Sequence, residues 1–227
     1  MTNGPTGKVE KSTKFKTIKI RRSFAKKLSA VNPRDFNFLE NQNFPAKICP
    51  VKFEKILLKI SGETLAKNGS GVSFAALENL ATEIAAAQKL KTKIAIVVGG
   101  GNFWRGRDFP QFPKNETDSV GMTATLLNGI ILRNFFAEKK IAAEIFSAID
   151  FQFARKFDAT AAREFLNSGG IPIFVGGTGN PFFTTDSAAI LRGRQLSVDL
   201  ILKATNVDGV FEENPKKNPN TKKFEEI

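Results

Sequence analysis

Lys93-Ile94-Ala95-Ile96-Val97-Val98-Gly99-Gly100-Gly101-Asn102-Phe103-Trp104-Arg105-Gly106 is the stretch from which the fold is read. Ile94 to Val98 is an unbroken apolar run rich in β-branched side chains, the pattern of a strand buried on both faces of a parallel sheet. The three glycines that follow mark the loop leaving that strand, where the backbone can take unusual dihedral angles and approach a ligand closely.

The same pattern recurs on either side. Lys55–Ile60 runs into Ser61-Gly62-Glu63, Ile171–Val175 into Gly176-Gly177-Thr178-Gly179-Asn180, and Asp199–Lys203 into Ala204-Thr205-Asn206-Val207-Asp208-Gly209, with Ile141–Phe146 as a fifth strand. Longer helical stretches separate the strands. In 73–90, Ser73 stands at the cap position, and Phe74, Leu77, Ala81 and Ile84 recur at helical spacing. Further helices are expected from about 119 to 138, 160 to 167 and 185 to 196. Alternation of this kind predicts an α/β domain with a mostly parallel sheet over 53–227, without internal repeat or second domain.

Composition closes off several chemistries. The 227 residues include no histidine and one cysteine, Cys49. A Ser-His-Asp triad, a His-ligated metal, a thiolate zinc cage and an internal disulfide are therefore excluded. A cytoplasmic protein is expected. No continuous apolar run approaches the roughly 20 residues that span a bilayer, and no membrane association is expected. The formal charge is +12, but residues 1–52 hold 12 Lys/Arg against 3 Asp/Glu, which leaves the body at only +3. Residues 1–50 read as a basic, disordered extension with too few regularly spaced apolar residues to offset the entropy of ordering. Three readings of it stand open: a solvated tail, a targeting or nucleic-acid-binding arm, and a start site placed too early, with the folded pattern opening at Val51. Nucleic acid is expected as a partner only through this segment.

In an open parallel sheet ligands gather at the C-terminal ends of the strands, where all four polar, glycine-bearing loops lie. Glycine-rich turns with Lys59, Arg105 and Lys203 nearby suit a phosphate cradle. The familiar nucleotide motifs are absent: Trp104 stands where the last glycine of GxGxxG would fall, and GxxxxGK[ST] occurs nowhere.

The segments Lys55–Glu63, Val98–Gly106, Gly121-Met-Thr-Ala-Thr-Leu-Leu-Asn-Gly129, Gly177-Thr-Gly-Asn-Pro-Phe-Phe-Thr-Thr-Asp186 and Leu202-Lys-Ala-Thr-Asn-Val-Asp-Gly-Val210 resemble, in order and spacing, the bacterial-type uridylate (UMP) kinases of the amino-acid-kinase fold. The resemblance covers about 53–227 and implies a three-layer sandwich that transfers the γ-phosphoryl group of Mg·ATP to UMP. It assigns catalysis to Lys59, Arg105 and Asp186. On the ATP side it places Lys59, Ser61, Gly62, Gly101, Arg105, Thr205, Phe211 and Asn214. On the UMP side it places Gly100, Asp118, Thr178, Gly179, Asn180, Pro181, Phe182, Phe183, Thr184 and Thr185. Mg²⁺ is carried by ATP without a direct protein ligand, and a homo-oligomer, a hexamer in the family, is implied. Several roles stay open: Asp118 as ribose ligand or helix cap, Phe182 and Phe183 as stacking or packing residues, and Asp186 as an orienting group or a charge at a helix start.

Three departures stand beside the match. Asn214 replaces the usual Asp before Pro215, weakening the expectation for ATP. Gly69-Ser70-Gly71-Val72 replaces the common Gly-Phe-Gly-Ile, and the chain stops at Phe224-Glu-Glu-Ile227, short of the family's closing strands. A sheet ended there would expose an unpaired strand edge. Another member of the fold acting on a carboxylate or carbamate, and an inactive nucleotide-binding remnant, are the alternatives. The 227-residue chain is expected to turn over slowly, and a coupled UMP/ATP assay beside a version extended to family length checks this.

Overall fold

The computed structural model describes residues 53–67 and 70–205, the backbone of 14–19, and four isolated positions, Glu212, Asn218, Thr221 and Lys222; Thr205 is described by its backbone alone. The assigned positions Phe211 and Asn214 lie outside the described residues, as does Gly69.

Among the described residues seven strands form one sheet: β1 (Lys14–Lys19), β2 (Lys55–Ile60), β3 (Lys93–Val98), β4 (Ala143–Ser147), β5 (Arg155–Lys156), β6 (Ile171–Val175) and β7 (Leu200–Thr205). Their spatial order is β1-β7-β2-β3-β6-β4-β5, and every pairing between them is parallel. The helices are α1 (Gly62–Leu65), α2 (Phe74–Lys89), α3 (Lys114–Glu138), α4 (Ala159–Asn167) and α5 (Thr185–Leu196).

Alternation along each strand divides the core in two. Ile56, Leu58 and Ile60 of β2, with Ile94, Ile96 and Val98 of β3, pack with Leu77 and Ile84 of α2 and Leu126, Leu132 and Phe136 of α3. Leu57, Ala95, Val97, Phe174 and Ile201 point the other way, onto Ala162 and Leu166 of α4 and Ala188, Ala189 and Leu196 of α5. This is the expected three-layer sandwich. Each aliphatic chain so buried contributes about 1.5–3 kcal/mol of transfer free energy.

Several boundaries differ from the sequence reading. Ser73 caps α2 as expected, accepting from Ala76 N–H at 3.3 Å. Helix α3 starts at Lys114 rather than near 119, because Lys-Asn-Glu-Thr-Asp carries no apolar periodicity; Pro113 at the cap is the signal that was available. By length and composition α3 could cross a membrane, although no continuous apolar run marks it in the sequence. Its Leu126, Leu132, Phe135 and Phe136 are buried in the core. Strand β4 begins two residues after Ile141, whose N–H closes the end of α3 on Phe136 O at 2.8 Å.

The largest difference is β1. Lys14–Lys19 lie in the stretch read as a disordered extension, yet they pair along the whole of β7, from Lys14↔Leu200 to Lys19↔Thr205. Phe15, Thr17 and Ile18 are strong strand formers, and a single covering strand does not need the regular apolar spacing that marks a core element. This strand covers the outer edge of β7.

At the opposite end of the central strands, Asp199 accepts the N–H groups of Glu54 at 2.9 Å and Lys55 at 3.0 Å, stitching the start of β2 to the start of β7. Asp199→Ala is expected to destabilise the domain by about 1–3 kcal/mol, since two donors lose a charged acceptor. Asp199→Asn should lose less. Urea unfolding of the three proteins checks the order.

Candidate active site

Strands β2 and β7 are direct neighbours, and their register sets Lys59 opposite Lys203. Both side chains fall on the α4/α5 face at the strands' C-terminal ends. There the first turn of α5 supplies Asp186, one oxygen 2.8 Å from Lys59 Nζ and the other 2.6 Å from Lys203 Nζ. Lys59 is buried, while Lys203 and Asp186 are partly exposed. Burial alone would raise the Asp186 pKa, but hydrogen bonds and charge from Lys203 and Lys59 outweigh it and hold the carboxyl below its ordinary value of 3.8. Two ammonium groups and one carboxylate leave a net positive charge at the rim, which suits a polyphosphate.

The loops after β2 and β3 interlock. Gly99 N–H donates to Ile60 O at 2.8 Å. A Cβ on Gly62 would lie 2.6 Å from the Gly101 nitrogen, so only glycine permits this approach. Ser61 opens α1, and its hydroxyl lies 2.7 Å from that of Thr64. Arg105 Nε donates to Gly101 O at 2.8 Å, and its Nη2 lies 3.4 Å from Glu63 of α1. The guanidinium thus bridges the glycine loop and α1.

The loop from Gly176 to Thr185 forms the other wall. Gly176, Gly177 and Gly179 all have positive φ. Gly176 N–H donates to Thr125 Oγ1 of α3 at 2.7 Å. Phe182 also has a positive φ, 69°, and its N–H donates to Asp118 Oδ2 at 2.8 Å. The other oxygen of Asp118 takes the Lys114 ammonium. Burial opposes ionisation of Asp118, and these two donors more than offset it, so its pKa also lies below the usual value. A cleft of about 190 Å³ opens between the walls, lined by Gly100, Gly101, Trp104, Gly106, Thr117, Asp118, Gly121, Met122, Thr125, Gly177, Asn180, Phe183 and Thr185.

Of the expected acceptor-side residues, Gly100, Asp118, Asn180, Phe183 and Thr185 line this cleft, as does Gly101 from the donor side. Thr178, Gly179, Pro181, Phe182 and Thr184 belong to the same loop without lining it. Thr178 shapes it, taking Asn180 N–H at 3.2 Å, and Thr184 caps α5 through Ser187 N–H. Thr205 ends β7 one row beyond Ala204. Asp118 is the fifth residue of α3, not its cap. Phe182 and Phe183 are 67% and 61% exposed, so the packing role is corrected; the loop is held by backbone bonds instead.

From sequence alone Lys203 is only a nearby cation, and Glu63, Thr125, Asn102 and Asn128 have no evident role. The strand register is the signal that would have raised Lys203.

A family model described as "Amino acid kinase family" matches residues 54–227. The uridylate kinase of Aeromonas salmonicida (strain A449) is 41% identical over 179 residues, spanning 77% of this chain and 73% of that protein. The uridylate kinase of Protochlamydia amoebophila (strain UWE25) is 41% identical over 178 residues, 77% of this chain and 71% of that one. The crystal structure of UMP kinase from Bacillus anthracis superposes with a TM-score of 0.69 at 34% identity, covering 75% of this chain and 72% of that one. UMP kinase from Ureaplasma parvum gives 0.68 at 35% identity, with 75% and 74% covered. Isopentenyl phosphate kinase, at 19% identity and a TM-score of 0.55, shares the fold.

Because the Asp186 pKa is lower folded than unfolded, its contribution to stability is present above about pH 4 and fades as the pH falls through the folded value. Asp186→Asn is expected to lower stability at neutral pH, by leaving Lys59 and Lys203 without their counter-charge, and to flatten the acid limb. Unfolding midpoints for both proteins between pH 2 and 7 check this.

Proposed function

The chain belongs to the amino acid kinase family, among its uridylate kinases, and we propose that it transfers the γ-phosphoryl group of ATP to UMP, giving UDP and ADP. The observation that carries the proposal is the pair of strand-end lysines held on one carboxylate beside a cleft walled by two glycine loops. An oxygen of the UMP phosphate attacks the γ-phosphorus, and the bond to the bridging oxygen breaks toward ADP. Little covalent chemistry is asked of the protein, and placement and charge stabilisation do most of the work.

Lys59 and Lys203 are suited to the charge that spreads over the transferring group and the leaving oxygen. Asp186 orients both ammonium groups. Arg105 can grip phosphate through parallel hydrogen bonds at the junction of the two nucleotides. Ser61, Gly62 and Gly101 suit the ATP phosphates. Gly100, Asp118 and the 178–185 loop suit UMP, with Asp118 exchanging its present partners for ribose hydroxyls and the exposed ring of Phe183 at the cleft available to the base.

Among the described residues no three acidic or thiol side chains cluster, and both Asp186 oxygens face lysines. This donor set fits Mg²⁺ carried on the triphosphate rather than caged by protein. Bound there, the ion would neutralise the β- and γ-phosphoryl oxygens. We place the reaction in the cytoplasm, in pyrimidine nucleotide synthesis, and in a homo-oligomer, a hexamer as in the family; exposed Val120 and Leu127, seven residues apart on α3, suit a second copy.

Offered UMP, aspartate, glutamate or carbamate with Mg·ATP, the chain is expected to phosphorylate UMP alone, and transfer only to a carboxylate or carbamate would overturn the reading. Lys59→Ala and Lys203→Ala should each cost about 10²–10³ in kcat, the usual effect of removing one preorganised charge donor. Arg105→Lys keeps the charge but loses the planar fork, and a raised KM for UMP is expected in steady-state kinetics.

A further inference from the structure

Asn128 has no solvent exposure and Asn102 has 3%, and neither takes part in the transfer outlined above. A buried amide is costly unless its hydrogen bonds are made. Here the two side chains bond each other reciprocally: Asn128 Nδ2 donates to Asn102 Oδ1 at 2.7 Å, and Asn102 Nδ2 donates to Asn128 Oδ1 at 3.0 Å. The second N–H of each points outward from the pair. Asn128 donates to Gly99 O at 2.7 Å, at the root of the glycine loop, and Asn102 donates to Gly71 O at 2.8 Å. Gly71 N–H answers to Asn102 O at 3.1 Å. Gly62, on the donor side, lies flat against the pair, since a Cβ there would come within 2.3 Å of Asn102 Oδ1.

One buried amide pair therefore joins four pieces of chain: the turn after β2, the approach to α2, the glycine loop and the middle of α3. On the function proposed above the turn after β2 serves the donor, α3 serves the acceptor through Asp118, and the glycine loop serves both, through Gly101 and Gly100. An apolar pair of similar volume would fill the space without fixing direction, whereas reciprocal amides have one satisfied arrangement.

We propose that Asn102 and Asn128 are a positioning pair that sets the donor turn against the glycine loop and α3 at the separation in-line transfer requires. This rests on the function proposed above. Neither residue reaches a substrate, so each nucleotide alone should bind nearly as well without the pair, while their alignment is lost.

The test uses the full chain, Asn128→Asp, Asn102→Ala and the double variant, each checked for folding by circular dichroism. The probes are ATP, UMP and a ligand in which adenosine and uridine are joined 5′ to 5′ by a polyphosphate. For Asn128→Asp, which keeps the volume and loses both donated bonds, kcat is expected to fall about 10²-fold and affinity for the joined ligand by a similar factor, with each KM within about threefold. Asn102→Ala should behave alike, and the double variant should be little worse than either single one. Folded variants with unchanged kcat and unchanged affinity for the joined ligand would overturn the proposal. So would a kcat loss that matches the unfolded fraction. If the unaltered chain binds neither UMP nor the joined ligand, the kinase reading itself fails, and this inference falls with it.

Discussion

Everything at the reactive rim depends on a carboxylate held between two ammonium groups that the sheet forces together. Lys59 and Lys203 meet because parallel neighbours in register must project matching residues to the same face. Left alone, two like charges this close would repel, and burial of Lys59 would add its own penalty. Asp186 relieves both, and the start of α5 is a favourable place for a carboxylate because the helix dipole presents its positive end there. The arrangement is preorganised: both cations are held in position by the chain itself, as the proposed transfer would need.

The same helix start links the cation pair to the cleft. Thr185 lines the cleft and Asp186, next in sequence, holds the lysines, so one turn of α5 faces both the cleft and the cation pair. The loop before it is shaped by three left-handed glycines and anchored to α3 at two points, Thr125 to Gly176 and Asp118 to Phe182. Residue 182 is a phenylalanine in a conformation that favours glycine. That strain, set against a single backbone bond to Asp118, makes the tip of the loop the part of the wall most responsive to a ligand that claims the carboxylate.

Much of this was legible beforehand. Unbroken apolar runs marked the central strands, and glycines placed at their ends marked the loops. Those signals are local, which is why β2, β3 and β6 agree with their expected bounds. What escaped was set by partners distant in sequence. Lys203 becomes part of the centre only once β7 is known to lie beside β2. Asn102 and Asn128 read as ordinary polar residues until their amides are seen to satisfy each other. Phe182 and Phe183 read as packing residues because aromatic side chains usually are, yet both rings are largely exposed, that of Phe183 at the cleft. The start of α3 and the strand at 14–19 were missed for a shared reason: each carries many charges, and the apolar period being sought was absent from both.

The stitch between β2 and β7 has a consequence for how the molecule comes into being. Glu54 and Asp199 bond across 145 positions of chain, a separation at which loop closure is entropically expensive and slow. During synthesis the first of the two lysines leaves the ribosome long before its counterpart exists. The nascent polypeptide can form its glycine loop and several helices while still lacking the second lysine of the cluster. The full cation cluster therefore forms only when β7 inserts beside β2, later than the local turns and helices.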